Sequence, residues 1–346
     1  MSGIVRVLIV DDSAYVRKVY KQMLSRSPFV EVVGAARDGA EALELVNSLR
    51  PDVVTVDLNM PEMDGVSFVR EQMTRHPVPI LVVSIASSAA SEVLAALDAG
   101  AVDFIQKPTA LATDRLLEIS DELIEKIKAA ASAAPRRPFQ LAEPVPKPAP
   151  GQHRTAQTTD IVVLGTSTGG PQALRVVLTQ IPADCPVPIA IVLHMPVGYT
   201  AMYATKLDEL APLHIIEARG GEELTPGTAI LAPAGQHLSF SRDASGVVRT
   251  RLGLHPLDTP HRPAVDVLFR SAADVYAGRV LGVVMTGMGS DGREGAAWIK
   301  AKGGRIITES EESCVVYGMP RSVVEAGLSD RTVPLEGIAR HIMELI

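Results

Sequence analysis

The chain has 346 residues of ordinary globular composition, with 47% hydrophobic and 21% charged residues. Its net charge of −7 gives no overall attraction to nucleic acid or anionic membranes, although it leaves room for a local basic patch. We expect no nucleic-acid partner. The two cysteines, Cys185 and Cys314, favour buried free thiols over a disulfide framework or a metal cluster. No apolar run approaches the ~20 residues of a membrane span, and acidic residues follow the N-terminus too soon for a secretory signal. We therefore expect a cytoplasmic protein without membrane insertion.

Strands and helices alternate over the first 130 residues. Apolar runs predict strands at 5–10, 30–35, 52–57, 79–84 and 101–105. The spacing of apolar residues predicts helices at 14–26, 39–49, from about 65, at 88–99 and at 114–131. Five successive strand–helix units predict a parallel sheet covered by helices on both faces.

Charged and polar side chains lie at or just after the carboxyl ends of several of these strands, where function gathers in an open α/β sheet. Asp11 and Asp12 end the first strand, Asp57 ends the third, Ser84 ends the fourth, and Lys107 follows the fifth. Three converging carboxylates repel one another unless a cation neutralises them, and oxygen ligands suit Mg²⁺. Simpler interpretations exist for each residue alone: Asp11 or Asp12 could cap the first helix, and Asp57 could be a turn residue.

Residues 4–128 resemble a response-regulator receiver domain through "LIVDDS", "VDLNMPEMDG", "VVSIAS" and "GAVDFIQKP". The resemblance implies that Asp57 is the phosphoacceptor. It implies a Mg²⁺ site formed by the carboxylates and one backbone carbonyl: Asp11, Asp12, Asp57 and Asn59. It also implies that Ser84 and Lys107 contact the phosphoryl group and that Phe104 is the aromatic switch.

Six prolines occur in the sixteen residues 135–150. This composition does not pack a core and favours extended polyproline II. We therefore predict a linker at 131–157 between one domain at 1–130 and another at 158–346. A long surface loop inside a single domain is the alternative.

The alternation resumes after the linker. Apolar runs predict strands at 160–165, 188–193, 279–285 and 304–308. Between 228 and 251 the pattern changes to short strands, which predict antiparallel hairpins. The sequence thus predicts a second parallel-sheet domain with a β-hairpin insertion.

The stretch "IVVLGTSTGGP" at 161–171 is a strand followed by a glycine-rich turn. It lacks the lysine of a phosphate loop, and Ser167 replaces the second glycine of the dinucleotide fingerprint. It matches G-x-S-x-G, in which the glycines allow a sharp turn that exposes a nucleophilic serine.

A serine nucleophile needs a base and an acid that orients the base. His194 ends the next strand and is the best-placed base, although a lone histidine there is often structural. Other histidines are rival bases: His237, His255 and His261. Asp291 follows the strand at 279–285, but with Glu294 it could instead form a capping box. The order serine, histidine, aspartate differs from that of the α/β-hydrolases.

Residues 158–346 resemble the catalytic domain of chemotaxis protein-glutamate methylesterases. The motifs are "GTSTGGP", "LHMPVGYT", "LAPAGQHL", "HRPAVDVLF", "MTGMGSDGREG" and "YGMPRSV". The resemblance implies Ser167 as nucleophile, His194 as base, Asp291 as acid and the Met288 backbone N–H as an oxyanion donor. The fold implied is two doubly wound parallel-sheet domains: a flavodoxin-like receiver and an α/β methylesterase domain with a β-hairpin insertion.

The implied activity is hydrolysis of glutamate γ-methyl esters on chemoreceptor signalling helices and, in some members, deamidation of receptor glutamines. The resemblance implies no cofactor for ester hydrolysis, a sensor histidine kinase as phosphodonor, and resting inhibition relieved by phosphorylation of Asp57. A phosphorylation-dependent binding module without esterase turnover is the alternative. A DNA-binding output is disfavoured, because the sequence has no helix-turn-helix or basic recognition segment.

Overall fold

The structure, a computed structural model, describes residues 3–84, 90–107, 113–132 and 159–346, with only the backbone of 113–119. The chain divides into two compact units, Met1–Phe139 and Gln140–Ile346. Among the described residues, no helix combines the length and apolar character that a membrane crossing requires.

The described part of the first unit is a five-stranded parallel sheet with the order β2-β1-β3-β4-β5. Its strands are β1 Val5–Val10, β2 Val30–Ala36, β3 Val53–Asp57, β4 Ile80–Ser84 and β5 Asp103–Gln106. Its helices are α1 Ala14–Leu24, α2 Gly39–Leu49, α3 Gly65–Arg75, α4 Ala90–Asp98 and α5 Thr113–Ser132. The central strands β3 and β4 are buried along their whole length, so both faces of the sheet are covered. This architecture confirms the predicted fold class.

Side chains in the loops after β1, β2 and β3 cap the helices that follow them. Ser13, Asp38 and Asp64 each accept a backbone N–H in the first turn of α1, α2 and α3. The capping interpretation of Asp11 and Asp12 is therefore wrong for α1, because Ser13 fills that position. The carboxylate of Asp11 instead accepts the Ser13 N–H at 2.9 Å.

The predicted linker is described only at its start. Helix α5 continues to Ser132, two residues into the predicted segment, because the alanine-rich sequence before the prolines favours a helix. Residues 133–157 lie outside the described residues, as do residues 88–89 at the start of the predicted fourth helix.

The described part of the second unit contains a seven-stranded parallel sheet with the order β14-β13-β12-β6-β7-β9-β8. The strands of the unit are β6 Ile161–Thr166, β7 Ile189–Leu193, β8 His214–Glu217, β9 Thr228–Leu231, β10 His237–Arg242, β11 Val248–Gly253, β12 Val280–Val284, β13 Arg305–Glu309 and β14 Arg331–Val333. Its helices are α6 Gly170–Leu178, α7 Thr200–Leu210, α8 Val265–Tyr276, α9 Arg293–Ala301, α10 Met319–Glu325 and α11 Leu335–Leu345.

One prediction about this unit needs correction. β9 is not part of an antiparallel hairpin: it is a parallel strand between β7 and β8. Its residues Ala229, Ile230 and Leu231 are fully buried, which is the environment of a strand covered on both faces. Only β10 and β11 form the predicted antiparallel hairpin. The short edge strands β8 and β14 were not predicted.

Helix α8 positions the site described below. It packs under the hairpin and against β6, and its buried residues Val265, Leu268 and Phe269 belong to the core of the second unit. The hairpin is tied to it, because Ser271 donates to the Phe240 carbonyl and accepts the Phe240 N–H at 2.7 Å. The N-terminus of α8 is thereby held beside the carboxyl ends of β6 and β12.

Candidate active site and phosphorylation site

Ser167 directly follows β6 at the start of a tight turn. Its N–H donates to the Thr286 carbonyl at 3.0 Å, and its carbonyl accepts the Gly170 N–H at 2.7 Å. Gly169 has φ +78°, and α6 begins at the next residue. The predicted strand–turn–helix is therefore present, and both ends of the turn are held by backbone hydrogen bonds.

The first glycine of the motif has another purpose than the predicted one. Gly165 lies inside β6 without a positive φ, so it is not needed for the turn. A Cβ at this position would collide with the side chain of Val265 at the start of α8. The absence of a side chain at Gly165 lets α8 approach the sheet at the place where the serine turn begins.

His194 follows β7, the strand paired with β6, and its N–H donates to the Thr166 carbonyl at 3.2 Å. The ring Nε2 lies 2.8 Å from Oδ2 of Asp291, and both side chains are only 9% exposed. The ring Nδ1 is buried and has no hydrogen-bond partner among the described residues. A neutral imidazole that donates from Nε2 has a free lone pair on Nδ1, which can accept a proton.

Asp291 is hydrogen-bonded to the N-terminus of α8, which is distant in sequence, and does not cap α9, the helix that follows it in the chain. Its Oδ2 accepts the Val265 N–H at 2.7 Å, and its Oδ1 accepts the Asp266 N–H at 2.9 Å. These are first-turn amides of α8, where the helix dipole favours a negative charge. The capping-box alternative is wrong, because the N-cap of α9 is Gly292 and no side chain caps that helix.

These donors keep Asp291 ionised. Burial raises the pKa of its carboxyl, but the hydrogen bond and charge of His194 and the two α8 amides outweigh burial, so the pKa is held below its usual value. Asp291 is therefore a carboxylate acceptor at neutral pH. It can fix the orientation of the imidazole and stabilise an imidazolium ion.

The order of the strands explains which ring nitrogen faces the acid. β6 lies between β7 and β12, so the turn of Ser167 is one strand from His194, whereas Asp291 follows the strand beyond it. Neighbouring strands lie about 4.8 Å apart, and Nε2 is farther from the backbone than Nδ1. Nε2, the ring nitrogen farther from the backbone, therefore contacts Asp291, and Nδ1 is left for the nearer turn of Ser167.

The loop after β12 borders the serine turn and contains the predicted oxyanion donor, Met288. A Cβ on Gly287 would lie 2.9 Å from Cβ of Ser167, so the loop passes directly beside the serine. The start of the loop is fixed by Glu309, a fully buried residue whose carboxylate accepts the Thr286 N–H at 2.8 Å. Met288 is half-buried and comes next in the loop after Gly287.

The rival histidines have other contacts. His237 is buried; its Nδ1 accepts the Ala264 N–H at 3.2 Å, and its Nε2 lies 3.1 Å from the Pro256 carbonyl. Burial lowers its pKa, so His237 is a neutral structural residue. His261 stacks on His194 with the ring centroids 4.0 Å apart. His255 is exposed. His194 is hydrogen-bonded to Asp291, which distinguishes it from His237 with its partners Ala264 and Pro256.

The acidic residues of the first unit meet at the carboxyl ends of β1 and β3. Carboxylate oxygens of Asp11, Asp12 and Asp57 all lie within 4.8 Å of one another. Asp11 and Asp57 are buried, whereas Asp12 is exposed. Oxygen donors of this kind, with one side open to solvent, fit Mg²⁺ with several retained waters.

Lys107 bridges two of these carboxylates. Its Nζ lies 2.6 Å from Asp11 Oδ2 and 2.8 Å from Asp57 Oδ2. Burial lowers the pKa of this lysine, but the hydrogen bonds and charges of the two aspartates outweigh burial and raise it. Burial also raises the pKa of Asp11, against the hydrogen bond and charge of Lys107. One ammonium thus contacts two of the three clustered carboxylates, and the negative charge of the cluster suits a divalent cation.

The remaining residues predicted for this unit lie on the same sheet edge or next to it. Ser84 ends β4 fully buried, and its carbonyl accepts the Lys107 N–H at 2.7 Å, which joins the ends of β4 and β5. Phe104 is buried in β5, with the Nζ of Lys126 5.8 Å from the centre of its ring. Asn59 is exposed two residues beyond Asp57.

Known proteins match both units. Residues 162–342 match the family model of CheB methylesterase, and residues 7–119 match that of the response regulator receiver domain. The first match covers more than half of the chain. This chain belongs to the CheB methylesterase family. The family resemblance predicted from the motifs is confirmed.

Relatives of this CheB-family chain match over nearly its full length. A protein-glutamate methylesterase/protein-glutamine glutaminase 5 of Myxococcus xanthus (strain DK1622) is 48% identical over 349 residues, which cover 98% of each chain. A protein-glutamate methylesterase/protein-glutamine glutaminase of Geobacillus kaustophilus (strain HTA426) is 45% identical over 350 residues, with 99% of each chain covered. The solved CheB methylesterase catalytic domain of Thermotoga maritima matches with 40% identity and a TM-score of 0.53, over 55% of this chain and 100% of that chain.

Sequence reasoning missed several groups that build the site of this CheB-family protein. The α8 amides that hold Asp291 are backbone donors, and no side chain marks them. Thr286 comes shortly after β12 and Glu309 is the last residue of β13, and nothing in the sequence links either of them to Ser167. Asp266 is visible in "HRPAVDVLF", but only the fold brings it to Asp291.

Proposed function

We propose that this chain is a phosphorylation-regulated protein-glutamate methylesterase that also deamidates protein glutamines. The observation that carries the proposal is the buried imidazole of His194. Its Nε2 is hydrogen-bonded to an ionised Asp291, and its Nδ1 is left without a partner among the described residues. His194 follows the strand paired with β6, which Ser167 directly follows. The names of the full-length relatives from Myxococcus and Geobacillus carry the same two activities.

The esterase step uses the chain's own side chains. Nδ1 of His194 takes the Ser167 hydroxyl proton while the oxygen attacks the ester carbonyl. General-base catalysis of this kind increases the rate by a factor of roughly 10²–10⁴. The tetrahedral oxyanion accepts hydrogen bonds from backbone N–H groups, including that of Met288. Each such donor increases the rate by a factor of about 10²–10³. The imidazolium returns its proton to the leaving oxygen, and methanol departs. Water, deprotonated by the same imidazole, then attacks the acyl-serine and releases the glutamate carboxylate.

Glutamine deamidation follows the same sequence of steps with another leaving group. The serine oxygen attacks the side-chain amide, and the imidazolium protonates the nitrogen, which leaves as ammonia. Both reactions end in a free glutamate, so one site accounts for both names of the relatives. The alternative, a binding module without turnover, gives no reason for a buried base with a free nitrogen next to an elbow serine.

Regulation is proposed to start at Asp57, whose carboxylate attacks the phosphoryl group of a donor such as a sensor histidine kinase. Asp11, Asp12 and Asp57 with the Asn59 carbonyl would hold Mg²⁺. When bound, Mg²⁺ offsets negative charge on the transferred phosphoryl group. Lys107 and Ser84 would contact the phosphoryl oxygens, and Phe104 would act as the aromatic switch. We further propose the division into 1–130, a linker at 131–157, and 158–346, with chemoreceptor signalling helices as substrate.

The test is methanol release from a methylated chemoreceptor. We expect Ser167→Ala to abolish release while the thermal unfolding of the protein stays unchanged, because an elbow serine contributes little to packing. Ser239→Ala is a matched control, since this hydroxyl lies on the exposed side of the hairpin. Near-normal turnover by Ser167→Ala would show that the nucleophile is a different group.

A further inference from the structure

Glu309, the last residue of β13, is a fully buried acidic residue that takes no direct part in the proposed chemistry. Its Oε2 accepts the Thr286 N–H at 2.8 Å, and its Oε1 accepts the Ser313 hydroxyl at 2.9 Å. Burying a carboxyl group costs free energy, and an apolar side chain would fill the same space at a lower cost. The two hydrogen bonds are therefore what this residue type supplies at this position.

The place of Glu309 in the sheet explains its contact with Thr286. The pairing of β12 with β13 ends at Val284 and Thr308. The next amide along β12, the Met285 N–H, donates to a β6 carbonyl on the other side at 2.9 Å. The Thr286 N–H faces β13 again and donates to the side chain of Glu309. This side chain thus fixes the point at which the loop after β12 leaves the sheet.

The same network fixes the peptide that contains the proposed oxyanion donor, Met288. The Gly287 N–H donates to the Val316 carbonyl at 3.0 Å, and the Gly287 carbonyl accepts the N–H groups of residues 318–319 at 3.0 and 2.8 Å. The Gly287 carbonyl and the Met288 N–H belong to one planar trans peptide, so they point in opposite directions. The direction of the Met288 N–H is therefore set once Thr286 and Gly287 are held.

We propose that Glu309 is a positioning residue of the esterase, which joins Thr286 to the segment that begins at Ser313 and thereby aims the Met288 N–H at the oxyanion formed on Ser167. The inference rests on the proposed function. An oxyanion donor is effective only at about 2.7–3.1 Å from the place where the negative charge develops. A small displacement of the loop therefore lowers kcat and leaves substrate binding unchanged.

Glu309→Gln is the conservative variant, because an amide can replace both contacts. Its oxygen can accept the Thr286 N–H while its N–H₂ donates to Ser313 Oγ. That hydroxyl already accepts the Leu335 N–H at 2.9 Å, and its own hydrogen can go to the Ser310 carbonyl at 3.2 Å. We expect Glu309→Gln to retain most of the wild-type kcat for methanol release.

Glu309→Leu has no acceptor for the Thr286 N–H. We expect it to lower kcat at least about tenfold, towards the 10²–10³ lost with a whole donor, and to leave KM nearly unchanged. Glu309→Asp keeps the carboxylate but shortens its reach by one methylene, so a severalfold loss of kcat is expected. The aspartate variant decides the question if the leucine variant does not fold.

Thr308→Val is the matched control for a purely structural effect. Thr308 is also fully buried, precedes Glu309 on β13 and points to the opposite face of the sheet. Its Oγ1 lies 2.8 Å from Ser329 Oγ and 3.2 Å from Thr332 Oγ1, away from the loop after β12. We expect this variant to lose stability in urea unfolding and to keep its kcat.

A second measurement follows the oxyanion donor without turnover. In full-length protein labelled with ¹⁵N-methionine, the Met288 amide signal is assigned by its loss in Met288→Leu. We expect Glu309→Leu to shift this signal, whereas Glu309→Gln and Thr308→Val leave it close to its wild-type position.

Several results would overturn the proposal. They are wild-type kcat in Glu309→Leu or Glu309→Asp, equal losses in the glutamine and leucine variants, a loss in Thr308→Val as large as that in Glu309→Leu, and an unshifted Met288 signal in Glu309→Leu. Absence of methanol release from every protein, wild type included, together with the expected shifts of Met288, would instead count against the proposed function alone.

Discussion

The base is the residue on which the proposed chemistry depends most. We expect His194→Gln to lower ester hydrolysis nearly as far as Ser167→Ala, because a nucleophile and its base act as a unit. His214→Gln is the control, since His214 is an exposed histidine at the start of β8 and pairs only weakly with Asp208 at 3.1 Å. The measurement is the initial rate of methanol release for each variant.

A different pattern of losses would identify another base. Full activity in His194→Gln, together with a severe loss on substitution of His261, would move the role to the stacked ring. His237 is a poor candidate, because both of its nitrogens already have partners. Substitution of His237 is expected to reduce stability rather than to act on the chemical step alone.

At the scale of elements, Thr286 connects the serine turn to the loops beside it. Its Oγ1 donates to the Thr168 carbonyl at 2.9 Å and accepts the Val316 N–H at 3.0 Å. We expect Thr286→Val to destabilise the protein by about 1–3 kcal/mol, because a buried N–H loses its acceptor. The rate of ester hydrolysis should fall as well, because the turn that contains Ser167 loses the hydrogen bond from Thr286 to the Thr168 carbonyl.

Thr286→Ser separates the hydroxyl from the methyl group, because it keeps the donor and the acceptor. We expect this control to retain most of the activity and to lose only the small packing term of one methyl. Urea unfolding and methanol release measure the two effects. Equal activity in the valine and serine variants would mean that the hydroxyl does not support the turn.

Most of the strands, and the meeting of His194 with Asp291, could be predicted because parallel strands are long apolar runs whose carboxyl ends meet at one sheet edge. The rest depends on contacts between distant residues. Thr286 and Thr168 are 118 positions apart, and the donors from α8 are backbone amides that any residue provides. β9 was assigned to a hairpin because "TAIL" is short and is followed by turn residues. Its pairing with β7 depends on burial that no local pattern shows.

At the scale of the whole molecule, phosphorylation and hydrolysis belong to different units of one chain. The family resemblance implies inhibition at rest, and a tether keeps two domains at high effective concentration without fixing their orientation. We therefore expect deletion of residues 1–150 to give a constitutively more active esterase. The Thermotoga catalytic domain, solved without a receiver, supports independent folding of the remainder.

The matching substitution in the full chain is Asp57→Asn. We expect it to leave basal methanol release unchanged and to remove stimulation by a small phosphodonor with Mg²⁺, because the amide is not a nucleophile for the phosphoryl group. A truncated protein no faster than the resting full-length chain would argue against inhibition. The receiver would then act by recruiting the enzyme or by activating it directly.

The direction in which His194 is turned has a consequence for how such sites are recognised. In chymotrypsin-type proteases the acid contacts Nδ1 and the serine faces Nε2, whereas here Nε2 contacts Asp291. A three-dimensional search template that fixes the ring nitrogen, or the order of residues along the chain, would pass over this site. A template that allows either ring nitrogen to face the acid would group this site with other serine hydrolases. It would then count as the same set of residues placed on a sheet with a different order of strands.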